Sequence, residues 1–157
     1  MISAFVSFRG RSEPEVGMRC RVYRNLNAPG YFSIQADEGP DKGRVLGRAK
    51  AVVLYEVVLK VNQGGYQRCV SKGVRNVHAV AIGNYAGSGE APPQDASISS
   101  DRITYQPFVR PYFFKRSAPD TPITQFPRVC AFGADLLCLP GDPGSGTARN
   151  FSWHRKP

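Results

Sequence analysis

The sequence predicts an all-β or β-rich α+β fold, an antiparallel meander that forms a small barrel or a half-open sandwich with extended C-terminal arms. Between residues 43 and 61 every second position is apolar or small, and the run is rich in valine. This period of two over β-branched residues is typical of a strand, because successive side chains point to opposite faces of a sheet. The 16 glycines and 13 prolines fall between short apolar runs, where they separate strands. Closing or curling the sheet would protect its edges.

The first two long strands are predicted to form a hairpin over residues 19–36. RCRVYR alternates between polar and apolar side chains, and a second strand is expected from Tyr31 to Ala36. The intervening Asn-Ala-Pro-Gly favours a turn, because proline fixes φ and glycine allows a positive φ. Residues 37–43 follow as an acidic, exposed turn. Residues 1–17 are predicted to be an N-terminal extension, with Met18 in the position of an alternative start.

The central run over residues 44–61 is too long for one typical strand. Gly47 predicts a bulge or bend near its start. A helix over residues 48–61 competes with the strand, but the five valines in that segment oppose a helix. Turns at 62–65 and 72–73 then predict two further strands, at 66–71 and 74–82, that complete the meander. We expect no long helix in the chain.

Later segments are less regular, and a single β-rich domain is predicted over residues 18–140. Residues 86–100 are small, polar and proline-bearing, which predicts an internal flexible loop. Five prolines between residues 107 and 127 favour edge strands and extended arms. Residues 141–157 are predicted to be a flexible basic tail.

The chain is basic, with a net charge of +9, and the excess is concentrated. Residues 42–75 contain eight lysines and arginines and one acid, Glu56. Such a concentration of positive charge attracts polyanions or acidic protein surfaces. Nucleic acid is the partner that we favour on this basis. The alternative is a solvated face that serves solubility alone.

The predicted binding surface is a basic face of the sheet. If strands 19–24, 44–50 and 66–72 are neighbours, their cations form one continuous patch. The predicted contact residues for nucleic acid or a protein partner are Arg19, Arg21, Tyr23, Arg44, Arg48, Lys50, Arg68, Lys72 and Arg75. Aromatic and basic residues also interleave between Tyr105 and Arg116, a combination that single-strand and RNA binders use to stack bases and hold phosphates.

One histidine is a candidate for catalysis. His78 lies on a predicted strand, and an imidazole titrates near neutrality. Metal-independent RNA cleavage would use it with Lys72, Arg75, Tyr55 or Tyr66, whereas the alternative is a structural histidine hydrogen-bonded within the sheet. No partner histidine, nucleophile motif or carboxylate pair accompanies it, so a non-enzymatic protein is the preferred interpretation.

No cofactor or metal is predicted. The four cysteines, Cys20, Cys69, Cys130 and Cys138, contain no Cys-x-x-Cys pair, so packing roles are expected rather than a zinc site. The N-terminus has no signal-peptide pattern, and no apolar run approaches the length of a membrane span. The protein is therefore expected in the cytoplasm, without membrane contact.

The segments RVYRNLN, GRVLGRAKAVVLYEVVLKV, RNVHAVAIG and ITYQPF carry a resemblance. Across about residues 19–108 the chain resembles small proteins of phages and other mobile genetic elements. This resemblance assigns no active-site role to any residue of the chain. The resemblance implies an accessory protein that acts on nucleic acid, or on a host defence or other host machine, and the basic charge favours a non-enzymatic module that binds nucleic acid or a nucleoprotein complex. Its alternatives are an inhibitor that docks on a host defence complex, of the anti-CRISPR kind, a small ribonuclease centred on His78, and a virion component.

Overall fold

The computed structural model describes residues 4–93 and 101–139, which form eleven strands and one helix. In chain order these elements are β1 (Val6–Ser7), β2 (Arg19–Arg24), β3 (Phe32–Ala36), β4 (Val45–Ala49), β5 (Ala51–Val61), α1 (Gln63–Lys72), β6 (Ala79–Gly89), β7 (Arg102–Thr104), β8 (Phe114–Lys115), β9 (Ala118–Pro122), β10 (Gln125–Phe132) and β11 (Asp135–Cys138).

All the strands of the described residues belong to one antiparallel sheet. Their spatial order is β1-β4-β3-β2-β6-β5-β10-β11-β7-β8-β9. The predicted β-rich class is therefore confirmed. The sheet is not closed into a barrel, because β1 and β9 lie at its two edges and do not pair with each other. The small barrel that the sequence predicts is excluded in favour of an open sheet.

The sheet buries one face in a single main core. Leu46 of β4 and Ile103 of β7 come from near opposite ends of the sheet, yet both belong to one cluster of buried side chains. The sheet must therefore curve around this inner face. A smaller cluster, which includes Val53 and Cys130, packs on the other face of β5 and β10.

The predicted hairpin over residues 19–36 is confirmed, since β2 and β3 pair in antiparallel register. The central run divides at Lys50 into β4 and β5, which are not neighbours in the sheet. The bulge expected near Gly47 is present, because the register of β3 with β4 shifts between the Ile34–Gly47 and Gln35–Val45 pairs.

The strand predicted at residues 66–71 is wrong, because this segment lies in the helix α1. Asn62 begins the helix by accepting a hydrogen bond from the Gly65 N–H at its side-chain oxygen, 2.8 Å away. Gly73 ends the helix in the left-handed conformation with φ 67°, and its N–H donates to the Cys69 carbonyl. Both signals are present in the sequence, but the residues of Asn62–Gly65 are equally typical of a turn between strands.

Helix α1 packs on the start of β6 through a glycine. A Cβ atom on Gly65 would lie 2.6 Å from the Cβ of His78, so no larger residue fits without movement. The Asn62 N–H also donates to the His78 carbonyl at 2.7 Å. The helix is thus fixed to the sheet at its first turn.

Strand β6 begins and ends later than expected. The sequence predicts a strand at 74–82 and a loop at 86–100, whereas β6 runs from Ala79 to Gly89. The first four residues of the predicted loop are therefore strand, and residues 94–100 lie outside the described part of the chain. The predicted tail at 141–157 also lies outside it.

The proline-rich C-terminal half contains both edge and central strands. β9 lies at the edge, as the prolines predict, and β8 is next to it, but β10 pairs with β5 and β11 in the interior of the sheet. Pro127 of β10 falls where the register passes from the Phe126–Val57 pair to the Arg128–Tyr55 pair. It therefore lies opposite Glu56, which has a positive φ of 52° and falls in the bulge of β5 against β6.

The segment before Met18 contacts the sheet. Residues Val6 and Ser7 pair with β4, and Phe5 belongs to the main core. The Gly17 N–H donates to the Tyr85 carbonyl, and the Tyr85 hydroxyl donates to Glu13 at 2.6 Å. These contacts tie the predicted extension to the domain.

Two adjacent glycines of α1 give a matched test of this packing. We expect Gly65→Ala to lower the free energy of unfolding by about 1–3 kcal/mol, because its methyl group would overlap His78. We expect Gly64→Ala to raise it by about 0.4–1 kcal/mol, because the new Cβ meets only ordinary contacts and the unfolded chain loses freedom. Urea unfolding of both variants measures the difference; equal effects would contradict the packing.

Candidate functional site

An open cleft of about 460 Å³ lies at the end of the sheet where β2 ends and β6 begins. Its inner wall is formed by buried apolar side chains of the main core: Val22, Phe32, Ala81, Ile103, Phe113 and Leu136. Its mouth is formed by partly exposed aromatic and cationic side chains, including Arg24, Tyr31, Arg75 and Tyr105. An apolar cleft with a few polar groups at its mouth has the general form of a ligand site.

His78 lies beside this cleft at the centre of a directed chain of hydrogen bonds. Its Nδ1 is 2.6 Å from Asn76 Oδ1, and its Nε2 is 2.8 Å from the Tyr105 hydroxyl oxygen. Asn76 Nδ2 donates to the Gly65 carbonyl at 3.2 Å, so Asn76 presents its oxygen to the histidine. The neutral ring therefore carries its proton on Nδ1, and Nε2 accepts from the Tyr105 O–H.

The protonation states of His78 and Tyr105 in this series of hydrogen bonds fit a structural role for His78. Burial lowers the pKa of His78 below its ordinary 6.5, against an opposing hydrogen bond at Asn76. Burial also raises the pKa of Tyr105. The imidazole is thus neutral and the phenol protonated at neutral pH. His78 is only 8% exposed and both of its ring nitrogens have partners, which favours the structural alternative over the ribonuclease.

Aromatic rings extend the contacts of His78 into the cleft wall. The His78 ring meets Tyr105 edge-on at 5.3 Å between centroids, and Tyr66 of α1 meets it at 6.3 Å. Tyr105 then packs against Phe113 with centroids 5.2 Å apart. These contacts hold the helix and the segment after β7 on either side of the histidine.

The cysteines offer little reactivity. Burial raises the pKa of Cys20 and Cys130 to about 12 and that of Cys138 to about 11, so these thiols are protonated at neutral pH and are poor nucleophiles or metal ligands. Across residues 4–93 and 101–139, no group of three or more His, Cys, Asp or Glu side chains could hold a metal ion.

Four cations lie at or next to the mouth of the cleft, and we call them the cationic rim: Arg24 and Arg75, which line the cleft, and Arg48 and Lys50, which lie over the ring of the cleft residue Tyr31. The Arg48 guanidinium lies 4.9 Å from the centre of the Tyr31 ring, and the Lys50 ammonium lies 5.7 Å from it. Arg75 donates to the Leu26 carbonyl at 2.6 Å. Within the described residues only Lys50 of this rim has an acidic partner, the exposed Glu90 at 3.6 Å.

A second groove of about 490 Å³ lies on the other side of the segment from Tyr23 to Leu26. Arg24 lines both the groove and the cleft, and Arg48 lines the groove. The cationic rim therefore separates two concave surfaces. The one acid in the cleft wall, Asp135, is compensated by Arg116 at 2.6 Å and Arg102 at 3.8 Å.

The other cations predicted on the sheet lie at the opposite end of β2 and β4, where acids engage most of them. Arg21 pairs with Asp37 at 3.7 Å, and Arg44 pairs with Asp41 at 3.9 Å. The Arg19 guanidinium donates to the Glu56 carbonyl at 3.1 Å, which supports the β5 bulge. These three arginines are separated from the rim by the length of the strands.

The predicted patch is therefore divided. β3 lies between β2 and β4, and Arg68 and Lys72 lie on the exposed side of α1 rather than on a strand. Helix α1 still borders the cleft, through Cys69. Of the predicted contact residues, Arg75 and the half-buried Tyr23 line the cleft, and Arg48 and Lys50 lie over the ring of Tyr31, which also lines it.

Sequence reasoning missed three residues of the site. Arg24 belongs to the alternating RCRVYR strand, and Tyr105 begins the aromatic and basic stretch, so each carried a signal. Tyr31 carried none beyond its place at the start of a strand. What the sequence could not reveal is that these segments meet at one end of the sheet.

Four exposed apolar side chains lie on the two segments that border the cleft. Val74 and Val77 precede β6, and Phe108 and Val109 follow Tyr105, with exposed fractions from 44% to 66%. Exposed apolar groups next to a concave surface are typical of interaction sites. In the part of the chain that the structure describes, no helix is long and apolar enough to cross a membrane.

Comparison with known proteins identifies one family. The family model described as Mycobacterium phage L5 gene 82 protein matches residues 13–133. No curated protein and no solved structure shows a significant match. The match covers the sheet from β2 to β10 and all the cleft-lining residues except those from Ala134 to Leu136, and so confirms the resemblance to small phage proteins.

The lowered pKa of His78 predicts a pH dependence of stability. An unfolded histidine titrates near 6.5, so the unfolded chain binds more protons than the folded chain below that value. We expect the free energy of unfolding to be steady above pH 7 and to fall as the pH falls from 6.5 towards the folded pKa. A His78→Gln variant should lose this component of the dependence. Urea unfolding of both proteins between pH 7.5 and 5.5 (the interval about one unit either side of 6.5) measures it; parallel curves would contradict the buried neutral ring.

Proposed function

We propose that this chain, which belongs to the Mycobacterium phage L5 gene 82 protein family, binds single-stranded nucleic acid at the cationic rim of its cleft. The observation that carries the proposal is that Arg24 and Arg75 line the cleft and Arg48 lies over Tyr31 at its mouth, all three without acidic partners among the described residues. Unpaired arginines are the side chains that hold phosphates.

The distribution of charge supports this end of the sheet over the other. Ion pairs with Asp37 and Asp41 reduce the field of Arg21 and Arg44, so the net positive charge is focused near Arg24 and Arg48. A concave surface with one sign of charge also concentrates the field. A nucleic acid backbone would therefore meet the rim first.

Aromatic side chains at the same place favour a single strand over a duplex. Tyr31 is held face-on by Arg48 and Lys50, and Phe108 is 66% exposed on the segment that follows Tyr105. Unstacked bases pack on such rings, whereas the bases of a duplex are already stacked on each other. The proposal assigns no reaction, because His78 already uses both ring nitrogens within the protein.

An acidic protein surface of a host complex is the second candidate partner. The exposed Val74, Val77 and Val109 favour it, because apolar side chains contribute to protein–protein interfaces, whereas phosphates are bound by polar and charged groups. In that case the protein would be an inhibitor of a host defence complex, with the cationic rim used for docking. Purification from the host without nuclease separates the two: nucleic acid released by high salt supports the first, and a nuclease-resistant protein partner supports the second.

The Arg24→Ala, Arg48→Ala double variant tests the rim. Binding of a fluorescein-labelled single strand, measured by anisotropy at several salt concentrations, should weaken. The slope of log K against log salt should become less steep by about 1.4, at about 0.7 for each phosphate that the variant no longer neutralises. Both side chains are exposed, so the fold should be unaffected, which thermal unfolding verifies.

A matched control removes the same charge at the other end of the strands. Lys42 and Arg44 are exposed, and Arg44 is paired with Asp41, so Lys42→Ala, Arg44→Ala should leave the slope unchanged. Equal losses of affinity in both double variants would mean that only the total charge matters. An unchanged slope in the Arg24→Ala, Arg48→Ala protein would overturn the proposed function.

A further inference from the structure

We propose that the cleft behind the cationic rim receives one unstacked nucleobase that carries an exocyclic amino group. This inference rests on the proposed function, because the strand held at the rim supplies the base. It adds the chemical class of group that the cleft recognises.

The size and lining of the cleft suit a base. Its volume of about 460 Å³ falls in the range of roughly 300–1,000 Å³ found for small-molecule sites. Phe32, Phe113 and Tyr105 provide ring faces and edges, and Tyr105 and Phe113 are tilted by 36° at 5.2 Å. A planar aromatic group between such side chains gains stacking and apolar burial together.

The positions of the cations define how the strand would enter. Arg75 and Arg24 line the mouth, outside the apolar wall. The hydrogen bond of Arg75 to the Leu26 carbonyl positions its guanidinium, and the remaining N–H groups of that guanidinium stay available for a phosphate. A nucleotide bound there would place its phosphate at the rim and its base in the cleft.

The direction of the hydrogen bonds between Asn76, His78 and Tyr105 determines which bases the cleft prefers. The Tyr105 hydroxyl gives its only proton to His78 Nε2, because Asn76 keeps the other proton of the neutral ring on Nδ1. The Tyr105 oxygen can therefore only accept a further hydrogen bond. It complements the amino group of cytosine or adenine and not the carbonyl that uracil and thymine present at the same position.

Cytosine and uracil give the sharpest comparison, because they are similar in size and differ only at position 4, an amino group in cytosine and a carbonyl in uracil, and at N3, which carries a proton in uracil alone. We expect oligodeoxycytidine to bind about threefold to tenfold more tightly than oligodeoxyuridine, the range of one hydrogen bond. Tyr105→Phe should equalise the two affinities and leave the salt slope unchanged. Tyr112→Phe is the matched control, because Tyr112 is close in sequence and does not line the cleft, and its hydroxyl is 3.5 Å from the Pro119 carbonyl.

The outcomes separate the inference from the function on which it rests. Equal affinities in the unsubstituted protein, or a preference that survives Tyr105→Phe, would overturn the base site and leave strand binding intact. Absence of binding to any strand would overturn both. Deoxycytidine monophosphate that binds as tightly as the oligomer would keep the cleft assignment and replace strand binding by nucleotide binding.

A second variant keeps the test decisive if Tyr105→Phe unfolds. Ala134 is exposed in the turn between β10 and β11 and lines the cleft, so Ala134→Trp obstructs the cleft without changing the core. It should abolish the preference for cytosine while rim binding and its salt dependence remain. A preference that persists in this variant would place base recognition elsewhere on the protein.

Discussion

The hydrogen bonds that run from Tyr105 through His78 and Asn76 to the Gly65 carbonyl connect three parts of the chain that are distant in sequence. They join the first turn of α1, the start of β6 and the segment after β7. Because each donor meets one acceptor, the buried polar groups are satisfied as a unit. The close approach of Gly65 to His78 belongs to the same arrangement. Together with the hydrogen bond from the Asn62 N–H to the His78 carbonyl, this arrangement holds the helix beside the cleft.

The cleft itself follows from an open sheet with a single main core. The inner face curves until Phe32 of β3 and Leu136 of β11 line the same cavity. Since the sheet does not close, the end of this core is covered only in part by α1 and the segment at 105–107. A ligand-sized opening remains where the apolar interior meets the solvent, and the polar groups at its edge come from turns and strand ends, as is common for functional sites.

The cations at the two ends of β2 and β4 have different electrostatic surroundings. Arg21 of β2 lies near the acidic turn that follows β3, whereas Arg24 at the other end of the same strand lies at the cleft. β4 repeats this arrangement, with Arg44 just before the strand paired to Asp41, and Arg48 near its end placed over Tyr31. Ion pairs therefore reduce the positive field of Arg21 and Arg44, whereas the field of Arg24 and Arg48 is not reduced in this way. The amino-acid composition alone does not distinguish these two groups of cations.

Several features could be predicted because they depend on neighbours in sequence. Alternation in RCRVYR and the turn at Asn27–Gly30 predict the β2–β3 hairpin, and Gly47 predicts the bulge in β4. Helix α1 could not be predicted, although Asn62 and Gly73 are good caps, because two glycines and a valine weaken its local helical preference. Tertiary contacts with His78 decide that segment. The interior position of Pro127 was equally hidden, since only the pairing with β5 places it opposite a bulge.

By itself, the sequence determined the strand-rich class, the first hairpin and the excess of cations, because these depend on side-chain periodicity, turn chemistry and composition. Only the tertiary structure decided which cations lie near one another. Arg24, Arg48 and Arg75 come from three segments whose meeting depends on strand order and register, and Tyr105 reaches His78 from a fourth. The pairing of distant strands depends on which faces they bury together. That depends on side chains throughout the core and not on any one segment of the sequence.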